Sequence, residues 1–214
     1  MMKYFFSVCK IIFWVIILVT FHSQTFSQRF DAGVIAGAIA SQVSGDRLAG
    51  YNKPGFEFGG LVSTSLSEKF DLSFQITFIQ KGSRKNINAE AGDFSYYRMR
   101  LNYVQVPVLI QYNFSKKLRF EAGTGIAVLL SSSEEDESGS LEFAARKEFS
   151  KFEWTMMASM NYMLWENFFL ILGIENSMLP IRNFQLGEVR LDRDQYNSLL
   201  RFSIRYIFKP QKSG

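Results

Sequence analysis

Alternation with a period of two, sustained over eight long stretches, is the feature that most restricts how this chain can fold. In the clearest stretch, Phe70, Leu72, Phe74, Ile76 and Phe78 fall on one side and Asp71, Ser73, Gln75, Thr77 and Lys81 on the other. Only a β-strand sends successive side chains to opposite faces, so the segment has one oily face and one wet face. The same pattern recurs over residues 29–41, 55–66, 98–114 and 118–130, then from Phe152 to Tyr162, over 168–177 and from Leu200 to Lys209. Most of these strands run about 11 to 13 residues and the shortest about 10, which meets the roughly 9–11 that a tilted membrane strand needs. Globular strands are nearer 5–6.

The connections alternate in length. Ser67-Glu68-Lys69, Ser115-Lys116-Lys117 and Trp165-Glu166-Asn167 are short. Residues 42–54, 82–97, 131–148 and 181–196 form long polar loops. With an even strand number, this predicts termini and tight turns on the periplasmic side and four long loops outside. Pro107 lacks a ladder donor and demands a bulge or a local gap in pairing.

A soluble barrel would also alternate, with its oily face inside. Volume argues against it, because eight strands enclose space only for packed side chains, and four to six large apolar groups per strand would overfill it. The fold class expected is therefore all-β: an eight-stranded antiparallel up-and-down transmembrane β-barrel, preceded by a cleavable signal peptide.

Residues 1–27 read as that signal peptide. Lys3 and Lys10 precede the apolar run 11–21, and Thr25-Phe26-Ser27 resembles a small-x-small cleavage site. Such a run is too short for the roughly 30 Å of hydrocarbon, which takes about 20 helical residues. Cys9 precedes the run instead of ending it, which argues against a lipid anchor. The barrel domain is then 28–214. Cys9 and His22 are the only cysteine and histidine, and cleavage removes both. Ser-His-Asp and Cys-His nucleophilic sites, imidazole zinc sites and His-ligated haem are excluded. The formal charge of +4, less the two signal lysines, leaves +2, so no nucleic-acid footprint is expected.

The wet face carries Glu57, Asp71, Lys81, Arg119, Glu121, Glu153, Glu175, Arg201 and Arg205, which are expected to point inward and pair, since an unpaired buried charge costs several kcal/mol. A salt-bridge plug is the plainer reading and an ion path or proton relay the sharper one. Glu134-Glu135-Asp136-Glu137 offers oxygen ligands for Ca²⁺ but lacks the ordered spacing of a calcium loop, which favours a solvated loop. Tyr96, Tyr97, Tyr103, Trp154, Trp165 and Tyr206 suit a lipid-interface girdle. Arg84, Lys85, Arg98 and Arg100 are placed to meet lipopolysaccharide phosphates near the outer rim, a contact generic to that location.

Several segments together carry a resemblance. They are Lys53-Pro54-Gly55-Phe56 with Gly59-Gly60, Phe78-Ile79-Gln80-Lys81-Gly82, and above all Leu101-Asn102-Tyr103-Val104-Gln105-Val106-Pro107-Val108-Leu109. Glu121-Ala122-Gly123-Thr124-Gly125 and the closing Tyr206-Ile207-Phe208 add to them. The chain resembles the PorT-like outer-membrane β-barrel proteins of Gram-negative bacteria over essentially its whole mature length. The resemblance implies an eight-stranded barrel with no catalytic, cofactor-binding or metal site. The founding member is an accessory component of protein secretion. The function expected is thus a non-enzymatic structural or accessory component of envelope assembly or secretion. A small-ligand-binding or ion-conducting barrel is the alternative. Expected partners are outer-membrane lipid, lipopolysaccharide and envelope or secretion proteins, with no nucleic acid and no cofactor.

Overall fold

The computed structural model describes residues 30–46, 48, 50–87, 90, 92–137, 139–140, 148–182 and 194–208. The expected signal peptide lies outside the described residues. Eight long strands make the wall: β1 (Phe30–Ser44), β2 (Lys53–Ser65), β3 (Phe70–Lys85), β4 (Tyr97–Asn113), β5 (Leu118–Asp136), β7 (Phe152–Trp165), β8 (Phe168–Ser177) and β9 (Tyr196–Phe208). A two-residue β6 (Gly139–Ser140) folds back on the end of β5. Each long strand pairs antiparallel with the next along the chain. The pairing of β1 with β9, from Ala32 opposite Phe208 to Ser44 opposite Tyr196, closes the sheet.

Period two sorts the side chains as the sequence implies. Val34, Phe58, Val62, Phe74, Ile76, Val108, Ile110, Ile126, Phe202 and Ile204 lie exposed on the outer wall. Glu57, Gln75, Thr77, Lys81, Gln105, Glu121, Thr155, Arg201 and Arg205 are buried inside. An apolar surface running around the whole wall would be unstable in water and is stable against hydrocarbon.

The turns follow from local chemistry. Ser67 and Ser115 occupy equivalent turn positions, and their hydroxyls accept the backbone N–H of Phe70 at 3.2 Å and of Leu118 at 3.0 Å. Asn167 takes the left-handed conformation (φ 69°) that the tight β7–β8 turn requires and that Asn tolerates. Around this turn end sits an aromatic ring. Phe70 packs on Tyr112 (centroids 5.2 Å), Phe168 on Tyr206 (5.1 Å) and Trp165 on Phe168 (6.1 Å). Interfacial girdles have this composition.

Pro107 produces the gap its missing N–H demands. Pairing between β3 and β4 stops after Phe74–Val108 and resumes at Thr77–Gln105 in unchanged register. Pro107 still sits opposite Gly125 of β5. One bulge in this wall lies elsewhere, where the β4–β5 register shifts between Asn102 and Tyr103 and leaves Leu130 without a partner on β4.

Strand ends at the loop side depart from the sequence reading. β3 continues to Lys85 and β5 to Asp136, and β2 begins at Lys53 instead of Gly55. The polar residues there alternate without the oily partners that mark a membrane strand, so periodicity alone stops at the lipid boundary. Tyr103 is a second departure: it is fully buried in the lumen, not in a girdle.

Val108 lies near the middle of the lipid-facing wall, opposite Phe74 and Thr124. Replacing Val108 with Arg is expected to destabilise the barrel by about 2–4 kcal/mol, read from urea unfolding in lipid vesicles.

Candidate functional site: the charged lumen

The inward faces of β2, β3, β7, β8 and β9 converge on one ionic network. Arg201 forks onto Glu57, with Nε donating to Oε1 at 3.1 Å and Nη2 to Oε2 at 2.5 Å. The Ser203 hydroxyl donates to the same carboxylate. Arg201 Nη1 also stands 3.7 Å from Glu175. Lys81 joins Glu175 at 2.6 Å to Glu153 at 3.1 Å. Gln105 donates to Glu175 at 3.3 Å, and Asn197 to Glu153 at 3.1 Å. Nearer the turn end, Arg205 forks onto Glu121 at 2.6 and 2.9 Å.

These bonds decide whether the charges are tolerable. Four carboxylates and three cations share a space from which water is largely excluded, and an ion left alone there costs several kcal/mol. Bidentate Arg–carboxylate geometry and extra donors offset the desolvation. Gly37 makes the central pair possible. It lies between Glu57 on β2 and Ser203 on β9, and a Cβ there would sit 2.5 Å from the Ser203 Cα and the Phe202 carbonyl oxygen. The bare glycine lets Glu57 reach across β1.

Two of the nine expected inward charges make no ion pair among the described residues. Asp71 accepts hydrogen bonds from Gln111 (2.8 Å), Asn113 (2.9 Å) and Ser65 (2.7 Å) at the turn-end mouth. Arg119 stacks over the Phe169 ring at 4.4 Å.

Toward the loops the lumen is filled with apolar side chains. Ile39, Val43, Ile79, Met99, Leu101, Tyr103, Phe149, Ile181 and Leu199 form one cluster. Above it Arg182 forks onto Glu134 at 3.2 and 2.7 Å and lies over the Phe149 ring at 3.6 Å. The Tyr97 hydroxyl donates to Glu134 as well. The expectation of a solvated loop at 134–137 is therefore corrected at Glu134, which is a buried strand residue under an arginine lid. Sequence reasoning missed Arg182 and Phe149, since both sit outside the alternating stretches, and it missed the apolar cluster because the upper inward face mixes apolar and polar residues.

Lys85 is likewise not free for an external phosphate. It pairs with Asp93 at 2.8 Å. The hydrogen bonds from Lys85 and Ser95 hold the Asp93 carboxyl well below the usual carboxylate range. Among the described residues, no three His, Cys, Asp or Glu side chains are placed to hold a metal ion. The space left beside Gln75, Glu121, Met157, Ser159 and Arg205 is about 10 Å³, the room of one water molecule.

A closed antiparallel barrel with an oily exterior and a charged, hydrogen-bonded interior defines an integral outer-membrane β-barrel protein. The chain belongs to the family described as outer membrane protein beta-barrel domain, which matches residues 22–181. Among solved structures, Neisserial surface protein A aligns with a TM-score of 0.50 at 12% identity, over 83% of this chain and 97% of that one. The attachment invasion locus protein Ail of Yersinia pestis aligns at 0.49 and 13%, over 83% and 98%. At such identity the likeness to Neisserial surface protein A concerns the fold alone. No protein with a curated description matches the chain in sequence.

Replacing Glu57 with Ala removes the bidentate partner of Arg201 and leaves it only the longer contact with Glu175 at 3.7 Å. The expected loss is about 3–5 kcal/mol of unfolding free energy, measured by the same vesicle-based urea titration. Replacing Glu57 and Arg201 together with Leu and Met is expected to recover most of it.

Proposed function

We propose that this barrel is a non-enzymatic, PorT-like component of the outer membrane that serves as a structural or accessory element in envelope assembly or protein secretion. The observation that carries this reading is the filled lumen. Ion pairs occupy its middle, apolar side chains its loop half, and Arg182 with Glu134 its upper end. What such a molecule can offer a partner is its loops, its turns and its outer wall. The described residues contain neither histidine nor cysteine, so they cannot build a Ser-His-Asp or Cys-His nucleophilic site. The PorT-like segments named above, especially 101–109, support the accessory role. Export through a cleaved signal peptide, with the long loops outside the cell, belongs to the same reading.

A second reading, a small-ligand or ion conduit, draws on the unpartnered amide of Gln75 beside the residual lumen space. Quantitative proteomics of the medium and outer membrane after gene deletion separates the two. Selective loss of secreted proteins, together with protein partners that survive mild-detergent purification, is the expected outcome. An unchanged secretome and a barrel that purifies alone would contradict the accessory role.

A further inference from the structure

The inward face of β3 carries a polar group that the ion network does not use. Gln75 is 3% exposed, and neither atom of its amide has a hydrogen-bond partner among the described residues. By the register on either side, it falls opposite Pro107, inside the stretch where β3–β4 pairing lapses. A second orphan group faces the same place. Arg205 directs Nη1 and Nη2 onto Glu121, and its Nε donor is buried without a partner. Gln75 and Arg205 line one space of about 10 Å³, together with Glu121, Ser159 and Arg201. Ile35 and Ile171 give the same space apolar walls.

Chemistry decides what such a space can hold. A buried amide or guanidinium donor left without a partner is costly, so two of them beside one void call for a ligand. An anion can accept from Arg205 and from the Gln75 amide nitrogen, but it leaves the amide oxygen without a donor. A cation would meet Arg201 and Arg205 at close range. Water both donates and accepts, and the volume is that of one molecule.

We propose that a single water molecule is a fixed part of the lumen at this point. It accepts from Arg205 Nε and donates to the Gln75 amide oxygen and the Glu121 carboxylate, three bonds in the range usual for buried water. It thereby ties β3 to the Glu121–Arg205 pair beside the gap that Pro107 leaves in the ladder. The apolar cluster closes the lumen toward the loops, which makes this molecule a fixture of the fold and not a step in a path. The inference needs only the barrel and its lumen and is independent of any secretion role.

The test uses the full mature barrel in detergent micelles, labelled with ¹⁵N at its glutamine side chains. The expected result is a contact between water and the Gln75 amide protons with the sign of an intramolecular neighbour. Rotating-frame measurement separates that contact from proton exchange. A crystal structure that orders waters is expected to place one oxygen within hydrogen-bond reach of both Gln75 and Arg205. Q75M, of similar length but without the amide, is expected to lose that oxygen while keeping the heat-dependent gel migration of a folded barrel. The wild type decides the matter alone if Q75M does not fold. A dry space, a contact with the sign of passing solvent, an oxygen that persists in Q75M, or a bromide soak that puts an anomalous scatterer there would overturn the proposal.

Discussion

Everything in this molecule depends on the ladder between β1 and β9. In hydrocarbon no water is present to satisfy a backbone N–H or C=O, so an open sheet edge is untenable. Thirteen residues of β1, from Ala32 to Ser44, find partners in β9, and the sheet has no edge left in the lipid. Closure then dictates the rest. Eight strands enclose a narrow lumen, the oily face has to point outward, and every inward polar group must find a partner inside.

The lumen meets that requirement in layers. Glu121 with Arg205 lies nearest the turns, then Glu57, Arg201, Glu175, Lys81 and Glu153 as one connected network, then an apolar cluster, then Glu134 with Arg182. The middle layer draws on five strands, so it ties the wall across its diameter as well as around its circumference. Gly37 contributes by what it lacks, since a side chain there would separate Glu57 from Ser203. Outside, the same closure leaves an oily band bounded by aromatics at the turn end and by Arg84, Arg98 and Arg100 toward the loops.

The transmembrane part was legible in the sequence because lipid enforces strict alternation. Phe70 to Phe78 on one face and Asp71 to Lys81 on the other settled which residues point where, and the tight turns at Ser67 and Ser115 followed from their composition. Pro107 announced its pairing gap for the simple reason that it has no N–H. Beyond the lipid boundary alternation carries less information. Ser131 to Asp136 reads as a polar loop, yet it continues β5, because its partner β4 also continues and supplies the ladder. Arg182 and Phe149 gave no sign at all, since long-range packing between loop residues leaves no local pattern. That the inward charges pair was legible, and seven of the nine do so, whereas which acid meets which base depends on barrel stagger.

The most direct measurement is conductance of the purified barrel in a planar lipid bilayer. A lumen filled by the Glu57–Arg201–Glu175–Lys81–Glu153 network and capped by Arg182 should show no steady conductance in the wild type. A stable open channel would contradict the filled lumen and, with it, the placement of function on the loops, turns and outer wall.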